Sequence, residues 1–280
     1  MNTLRPLETG TFRLDGGAMF GVVPRPLWER RIAPDGRNRI PMAMRSLLVE
    51  GDGRLVIIET GLGHKYDARF ADLYAIDHET ATLERSLRAA GFAPADVTDV
   101  ILTHLHFDHV GGCTTRNGDR LALTFPNARH HVQRRHWDWA AHPNPRERAS
   151  FFAENLDPLA ASGQLVLHDG PGEILPGIEA RTFDGHTEAQ QILLVDGGER
   201  LGTVAYVADL LPTQHHLAPA WTMGYDVRPL VTMDEKAAFL DEAERSGWTL
   251  FFGHDSAAET ARVARTDRGL VATETAPLGR

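Results

Sequence analysis

Apolar residues recur along this chain at two different periods. In SLLVEGDGRLVIIETGLG, residues 46–63, two runs of Leu, Val and Ile flank Gly-Asp-Gly, which predicts a β-hairpin. Residues 79–91, ETATLERSLRAAG, switch to helical spacing, with Leu83, Leu87 and Ala90 on one face and Gly91 as the stop. VTDVILTH at 97–104 reads as a buried strand. Further strands are predicted at RHHVQ (129–133), QLVLHD (164–169), IEARTFD (178–184), QQILLVD (190–196), LGTVAYVAD (201–209) and WTLFFGHD (248–255), with Gly- or Pro-containing turns between them. Two more helices are predicted, ERASFFAENLDPLAASG at 147–163 and TMDEKAAFLDEAERSG at 232–247, the latter with Thr232 and Glu235 in capping-box positions. No internal repeat or dividing linker interrupts the pattern. It predicts one α/β unit over residues 1–280, in which two β-rich layers are flanked by helices.

Composition narrows what such a unit can do. With 42% hydrophobic and 24% charged residues and no low-complexity tract, disordered and fibrous classes drop out. Lys plus Arg total 29 against 38 Asp plus Glu, a formal charge of −9, so no basic surface dominates that would neutralise a nucleic acid. The local exception, RRHW with PRERA within residues 134–149, reads as solvated helix surface. The one cysteine, Cys113, has no disulfide partner and reads as a buried structural thiol. Residues 1–25 carry Arg5, Glu8, Arg13 and Asp15 in place of a leader's apolar core, and no apolar run nears the roughly 20 residues of a membrane span. A cytoplasmic, membrane-independent protein is expected; self-association as a homodimer is left open.

The chemistry concentrates in THLHFDHVGG, residues 103–112, directly after the buried strand. In extended chain, residues i and i+2 point the same way, so His104 and His106 can offer two imidazoles to one cation. If DHVGG opens a turn or helix, the change of direction gives Asp108 and His109 a second face. Two histidines do not complete a tetrahedral site, and three later strands each end in a further candidate: His186, Asp209 and His254. Five imidazoles and two carboxylates suit zinc, with iron, manganese or cobalt as alternatives. Two divalent cations there, offset by two carboxylates and a hydroxide, leave about one positive charge to receive a developing oxyanion. That is the electrostatics of hydrolysis.

H-x-H-x-D-H followed by distant His, Asp and His resembles the metallo-β-lactamase superfamily. ETGLG, GHTEAQ, ADL and FFGHD resemble its other motifs, so the likeness runs over most of the chain. It implies an αββα sandwich of two mixed sheets flanked by helices around a dinuclear metal site. His104, His106 and His186 would hold one ion, Asp108, His109 and His254 the other, and Asp209 would bridge, with Asp108 and Asp209 the catalytic carboxylates. DGGAMFGVVPRPLW and ADLLPTQHHLAPAWTMGYD are similar to the branch of quorum-quenching N-acyl-homoserine lactonases, which implies ring opening of a small lactone. Three positions depart from the pattern: Glu59 stands where many relatives have Asp, Ala189 where glycine is frequent, and Pro212 where the best-known lactonases carry a substrate-contacting tyrosine. Tyr225, His215 and His216 are the candidates to replace that phenol.

An acyl tail needs an apolar groove. Met19, Phe20, Trp28, Trp221, Met223 and Tyr225, in irregular Gly- and Pro-rich segments, are expected either to line one or to close the core or a subunit interface. Alternatives on the same site are an organophosphate, aryl-ester or glutathione-thioester hydrolase, and a mononuclear iron persulfide dioxygenase using His104, His186 and Asp209. A metal-holding binding module without turnover is the third class.

Overall fold

The computed structural model describes residues 2–267 and 269–278. The chain opens with β1 (Thr3–Asp15), two short helices α1 (Gly16–Phe20) and α2 (Arg25–Trp28), then the hairpin of β2 (Arg39–Gly51) and β3 (Arg54–Ile58). Helices α3 (Ala68–Tyr74) and α4 (Leu83–Ala89) precede β4 (Asp99–Ile101), α5 (Phe107–Val110) and a small hairpin, β5 (Thr114–Asn117) with β6 (Arg120–Leu123). Next come β7 (Arg129–Gln133), α6 (Arg134–Ala141), α7 (Ala153–Ala161), β8 (Leu165–His168), β9 (Gly172–Leu175), β10 (Ile178–Phe183) and β11 (Gln190–Asp196). The chain finishes with α8 (Gly198–Leu201), β12 (Thr203–Tyr206), α9 (Pro229–Ser246), β13 (Thr249–Phe251), β14 (Thr260–Thr266) and β15 (Gly269–Ala276).

The strands form two large mixed sheets, ordered β1-β2-β3-β4-β7-β8 and β15-β14-β13-β12-β11-β10-β9. Strand alternation divides the core between the faces of the first sheet. Leu47, Val49, Val56, Ile58 and Ile101 join one apolar cluster with Ile192, Val204, Tyr206 and Leu250 of the second sheet. Their neighbours Leu48, Leu55, Ile57 and Val100 turn the other way, onto Leu83 and Leu87 of α4 and Leu159 of α7. Full burial of each such side chain stabilises the fold by about 1.5–3 kcal/mol. Phe239, Leu240 and Ala243 of α9 pack with the second sheet. The result is the expected αββα sandwich. Among the described residues, no helix is long and apolar enough to cross a membrane.

Several local expectations are corrected. The opening 13-residue strand, which the apolar pattern does not predict, is interrupted by an irregularity between Glu8 and Gly10 that breaks its alternation. Of 147–163 only Ala153–Ala161 is α-helix, preceded by a 3-10 turn. Helix α9 begins three residues before Thr232, at Pro229, whose fixed φ suits a first helical position. Thr232 is therefore interior, and the Glu235 carboxylate accepts the Asp184 and Gly185 amides instead of capping its own helix.

The sheets are joined where the chemistry lies. The amides of Ala43 and Arg45 in β2 donate to the carbonyls of His254 and Gly253 at 3.0 Å, and Gln191 of β11 binds the Thr103 and Leu102 carbonyls at the end of β4. At Gly111 and Gly112 any Cβ would meet the carbonyl oxygens of Leu62 and Thr60 at 2.2 Å, so only glycine lets α5 sit against the ETGLG turn.

Candidate functional site

Each anchor of the cluster stands three residues beyond a strand end: His104 after β4, His186 after β10, Asp209 after β12 and His254 after β13. Helix α5 supplies the change of direction that carries Asp108 and His109 away from His104 and His106. All seven side chains are buried, none more than 9% exposed.

Their donor atoms form two neighbouring groups. In the first, His104 Nε2 and His186 Nε2 lie 3.1 and 3.2 Å from His106 Nδ1. In the second, His109 Nε2 lies 3.1 Å from His254 Nε2, with Asp108 Oδ2 3.7 and 3.6 Å from the two. Tetrahedral zinc with bonds of about 2.0–2.1 Å sets its donors roughly 3.3 Å apart. Asp209 touches both groups: Oδ2 is 3.4 Å from His186 Nε2, and Oδ1 is 3.3 Å from His254 Nε2 and 3.5 Å from His109 Nε2.

The outward ring nitrogens reveal what the inward ones carry. His186 Nδ1–H is taken by Asp226 at 3.0 Å, His109 Nδ1–H by Glu59 at 2.5 Å, His254 Nδ1–H by the Ala43 carbonyl at 2.9 Å and His106 Nε2–H by Glu147 at 3.3 Å. Thr103 Oγ1 lies 3.0 Å from His104 Nδ1. A neutral imidazole with its proton held outward turns a lone pair inward. Lone pairs facing one another at 3.1–3.2 Å repel without a cation between them, and Asp209 Oδ1 is buried with no hydrogen-bond partner. Each group could hold one metal ion.

Burial pushes the protonated forms of His104 and His106 down. Burial acts likewise on His109, but the carboxylates of Glu59, Asp108 and Asp209 outweigh it and raise that imidazole well above its ordinary range, so positive charge is favoured at its inward nitrogen, carried either by a proton or by a metal ion that replaces it. Backbone strain gathers here too: Glu59, Ala189 and Ala208 adopt φ of 67°, 50° and 42°. Such left-handed conformations cost roughly 1–2 kcal/mol in a non-glycine residue. Ala189 is one of the positions where glycine would fit more easily.

A cavity of about 340 Å3 opens on the cluster. His106, Asp108, His186, Asp209 and His254 form its polar floor, and Leu14, Met19, Phe107 and Met223 supply apolar wall, with Tyr74, Tyr225 and Arg146 alongside. Of the residues expected to line a groove, Met19, Met223 and Tyr225 do so. Phe20, Trp28, Trp221, His215 and His216 are not part of the wall. Phe20 and Trp28 are fully buried and stacked at 5.7 Å, and Trp221 meets Phe20 edge-on at 5.5 Å. His216 stacks on Phe20 at 4.8 Å, donates to the Met19 carbonyl at 2.8 Å and accepts from Thr213 at 2.8 Å, which leaves it no nitrogen for a substrate.

Sequence reasoning missed Glu147, Asp226 and Arg146. Glu147 belongs to the stretch read as solvated surface, yet is 3% exposed and accepts from His106, Thr187 (2.6 Å), Trp139 (2.7 Å) and Asn144 (2.8 Å). In RRHW, His136 is equally buried, accepting the Leu105 amide at 2.8 Å and so fixing the backbone between His104 and His106. Asp226 follows TMGY without a motif of its own. The one signal available was its place in an irregular aromatic segment.

Comparisons with known proteins place this geometry. Over 170 residues, 60% of each chain, the sequence is 27% identical to an N-acyl homoserine lactonase of Bacillus thuringiensis. A probable metal-dependent hydrolase from Staphylococcus aureus superposes with a TM-score of 0.86 at 27% identity, covering 98% of both chains. A dizinc quorum-quenching lactonase, solved with the product N-hexanoyl-L-homoserine, superposes at 0.79 with 22% identity, over 98% of this chain and 95% of that one. The chain spans less than two thirds of the length of its first sequence relatives, 64% for two mycobacterial probable metallo-hydrolases and 60% for the Bacillus lactonase. Residues 44–254 match the family model of the metallo-beta-lactamase superfamily, and this chain belongs to that superfamily.

Proposed function

We propose that this protein is a two-metal hydrolase that opens the lactone ring of N-acyl-homoserine lactones. The observation that carries the reading is Asp209, whose Oδ2 faces one trio of donors and whose unpartnered Oδ1 faces the other. His104, His106 and His186 would hold one ion, Asp108, His109 and His254 the second, and Asp209 would join them, zinc suiting the donors best. Two such ions supply an activated water nucleophile at neutral pH and polarise the carbonyl under attack.

The chain's own residues set the rest. The outer partners Asp226, Glu59, Glu147 and Ala43 hold the imidazoles in one tautomer and one orientation before substrate arrives. The apolar wall of Leu14, Met19, Phe107 and Met223 excludes water and accommodates an acyl tail. Tyr74 and Tyr225 present phenols, protonated at neutral pH, so either can donate to a lactone oxygen. Asp108, at the cavity floor, is within the reacting zone and can pass a proton to the leaving alkoxide.

Aryl-ester or organophosphate turnover on the same site is the second reading. Pro212 is buried and offers no donor where a phenol would assist a lactone, which favours substrates that need none. A mononuclear iron reading uses His104, His186 and Asp209 and leaves Asp108, His109 and His254 without a purpose.

The test is proton release at constant pH from zinc-reconstituted protein given a long-chain N-acyl-homoserine lactone, an aryl ester and a phosphotriester. Efficient ring opening with close to two zinc per chain supports the lactonase. Strong ester or phosphotriester turnover with weak ring opening keeps the two-metal mechanism and moves the substrate class. One iron per chain with oxygen consumption overturns hydrolysis.

A further inference from the structure

Among the described residues, the cavity wall contains one Lys or Arg side chain, Arg146, and no carboxylate of those residues pairs with it. Its Nη2 donates to the Gly224 and Asp226 backbone carbonyls, the latter at 3.1 Å, while Nε and Nη1 have no partner among the described residues. A guanidinium carries five N–H donors, so most of its capacity is left over. Most cations near the site are committed: Arg228 pairs with Glu188, Arg135 with Asp184 and Glu188, and Lys236 with the Ala218 and Trp221 carbonyls.

Arg146 is also held unusually well for an exposed arginine. Its neighbour Glu147 is fixed by four donors, one of them His106. At its tip it binds the backbone of Asp226, whose carboxylate holds His186. The side chain therefore reaches from the segment of Glu147 to that of Gly224 and Asp226 along the cavity wall, beside Ala149, Ser150 and Met223.

We infer that Arg146 is a specificity-determining residue that hydrogen-bonds a second acceptor of the substrate, the amide carbonyl of an acylated lactone, and so selects N-acylamino lactones over plain alkyl lactones. This rests on the lactonase reading and deepens it. A charged donor meeting a carbonyl at the cavity wall contributes binding energy that a substrate lacking that carbonyl cannot use. The group is separate from the reacting ring, so its contribution belongs to KM more than to kcat.

The experiment compares the zinc-loaded wild type, Arg146→Met and Arg146→Lys on two lactones with matched tails, an N-acyl-homoserine lactone and a γ-alkyl-γ-lactone without the amide. Arg146→Met is expected to raise KM for the amide-bearing lactone about 10- to 100-fold, to leave the plain lactone within about threefold, and to keep metal content unchanged, while Arg146→Lys recovers part of the loss. Equal losses on both lactones, no loss on either, or loss of bound metal in both variants overturns the inference. If the wild type opens neither lactone, the lactonase reading itself has failed. The 4-nitrophenyl esters of an N-acylglycine and of a plain alkanoate then carry the same comparison for Arg146, with the same outcomes supporting or overturning it.

Discussion

Glu147 Oε1 accepts the Nε2–H of His106 at 3.3 Å, and by holding that proton outward it turns His106 Nδ1 toward His104 and His186. The carboxylate is saturated: Thr187 donates to the same oxygen, and Trp139 and Asn144 donate to the other. Although burial raises a carboxyl's pKa, these donors outweigh it and bring Glu147 down to about 2. Glu147→Gln puts an NH2 group at one end, facing donors whichever way the amide is turned. We expect it to lower metal affinity about 10- to 100-fold, as loss of an outer partner typically does, and to lower the melting temperature as well. Chelator competition measures the first, calorimetry the second. Wild-type affinity in Glu147→Gln would remove Glu147 from the metal centre.

Asp209→Asn tests the bridge. The amide matches the carboxylate in size but turns one acceptor into a donor, so it can serve at most one of the two groups that Oδ1 and Oδ2 now face. The expected outcome is a folded protein that retains fewer than two metal ions per chain and loses orders of magnitude in activity, with a melting change no larger than the lost metal contributes. Elemental analysis of the purified variant settles it. Two firmly held ions and full activity would show that Asp209 does not join them.

The cluster of seven donors was legible because its spacing is local physics. Two imidazoles at i and i+2 after a strand, and three further donors each beyond a strand of their own, need no knowledge of the tertiary arrangement beyond convergence on one rim. Glu147 was not legible, because its burial is made by four segments: Trp139 from α6, Asn144 from the turn beside it, Thr187 after β10 and His106 before α5. Within PRERA a glutamate flanked by arginines is indistinguishable from solvated surface. Strand β1 was hidden by Pro6 and by the irregularity at Gly10, and β14 and β15 by half-exposed faces rich in Arg, Thr and Glu. Sequence period reports burial on one face. It fails where a strand is an edge, or where a polar residue is buried because others reach it.

Acid stability has a contribution that lies away from the seven clustered donors. Burial pushes His216 and His130 down to about 4, so the folded chain keeps both neutral while the unfolded chain protonates them near 6.5. Unfolding therefore takes up protons, and the stability present above about pH 6.5 is lost as pH falls through 6.5 toward 4. Each group costs at most about 1.4 kcal/mol per pH unit across that window. The melting temperature of metal-free protein should fall on that side of neutrality, and His216→Gln, which keeps a polar side chain beside Phe20, should flatten the decline. A decline of unchanged slope in His216→Gln would assign the acid sensitivity to other groups.

The phenol that position 212 lacks has two possible suppliers in the cavity wall, Tyr74 and Tyr225. Tyr74 is engaged: its ring packs at 4.7 Å on Phe70 and 5.1 Å on Phe107, so its first role is to shape the apolar wall. Tyr225 makes no comparable ring contact among the described residues and is 37% exposed. Its backbone is nonetheless fixed, since Gly224 donates to the Ala18 carbonyl at 2.7 Å and the next residue, Asp226, holds His186. A phenol without a ring contact, on a fixed backbone beside the cluster, is the better donor to a developing oxyanion. Removal of one such donor commonly costs 10²–10³ in turnover in well-ordered sites; for a partly exposed phenol we expect Tyr225→Phe to lower kcat on lactones about 10- to 100-fold with KM little changed, and Tyr74→Phe to stay within about threefold. Steady-state kinetics on one long-chain lactone distinguishes them. A large kcat loss in Tyr74→Phe with none in Tyr225→Phe would reverse the assignment, and loss in neither would mean that the carbonyl oxygen is stabilised without a phenol.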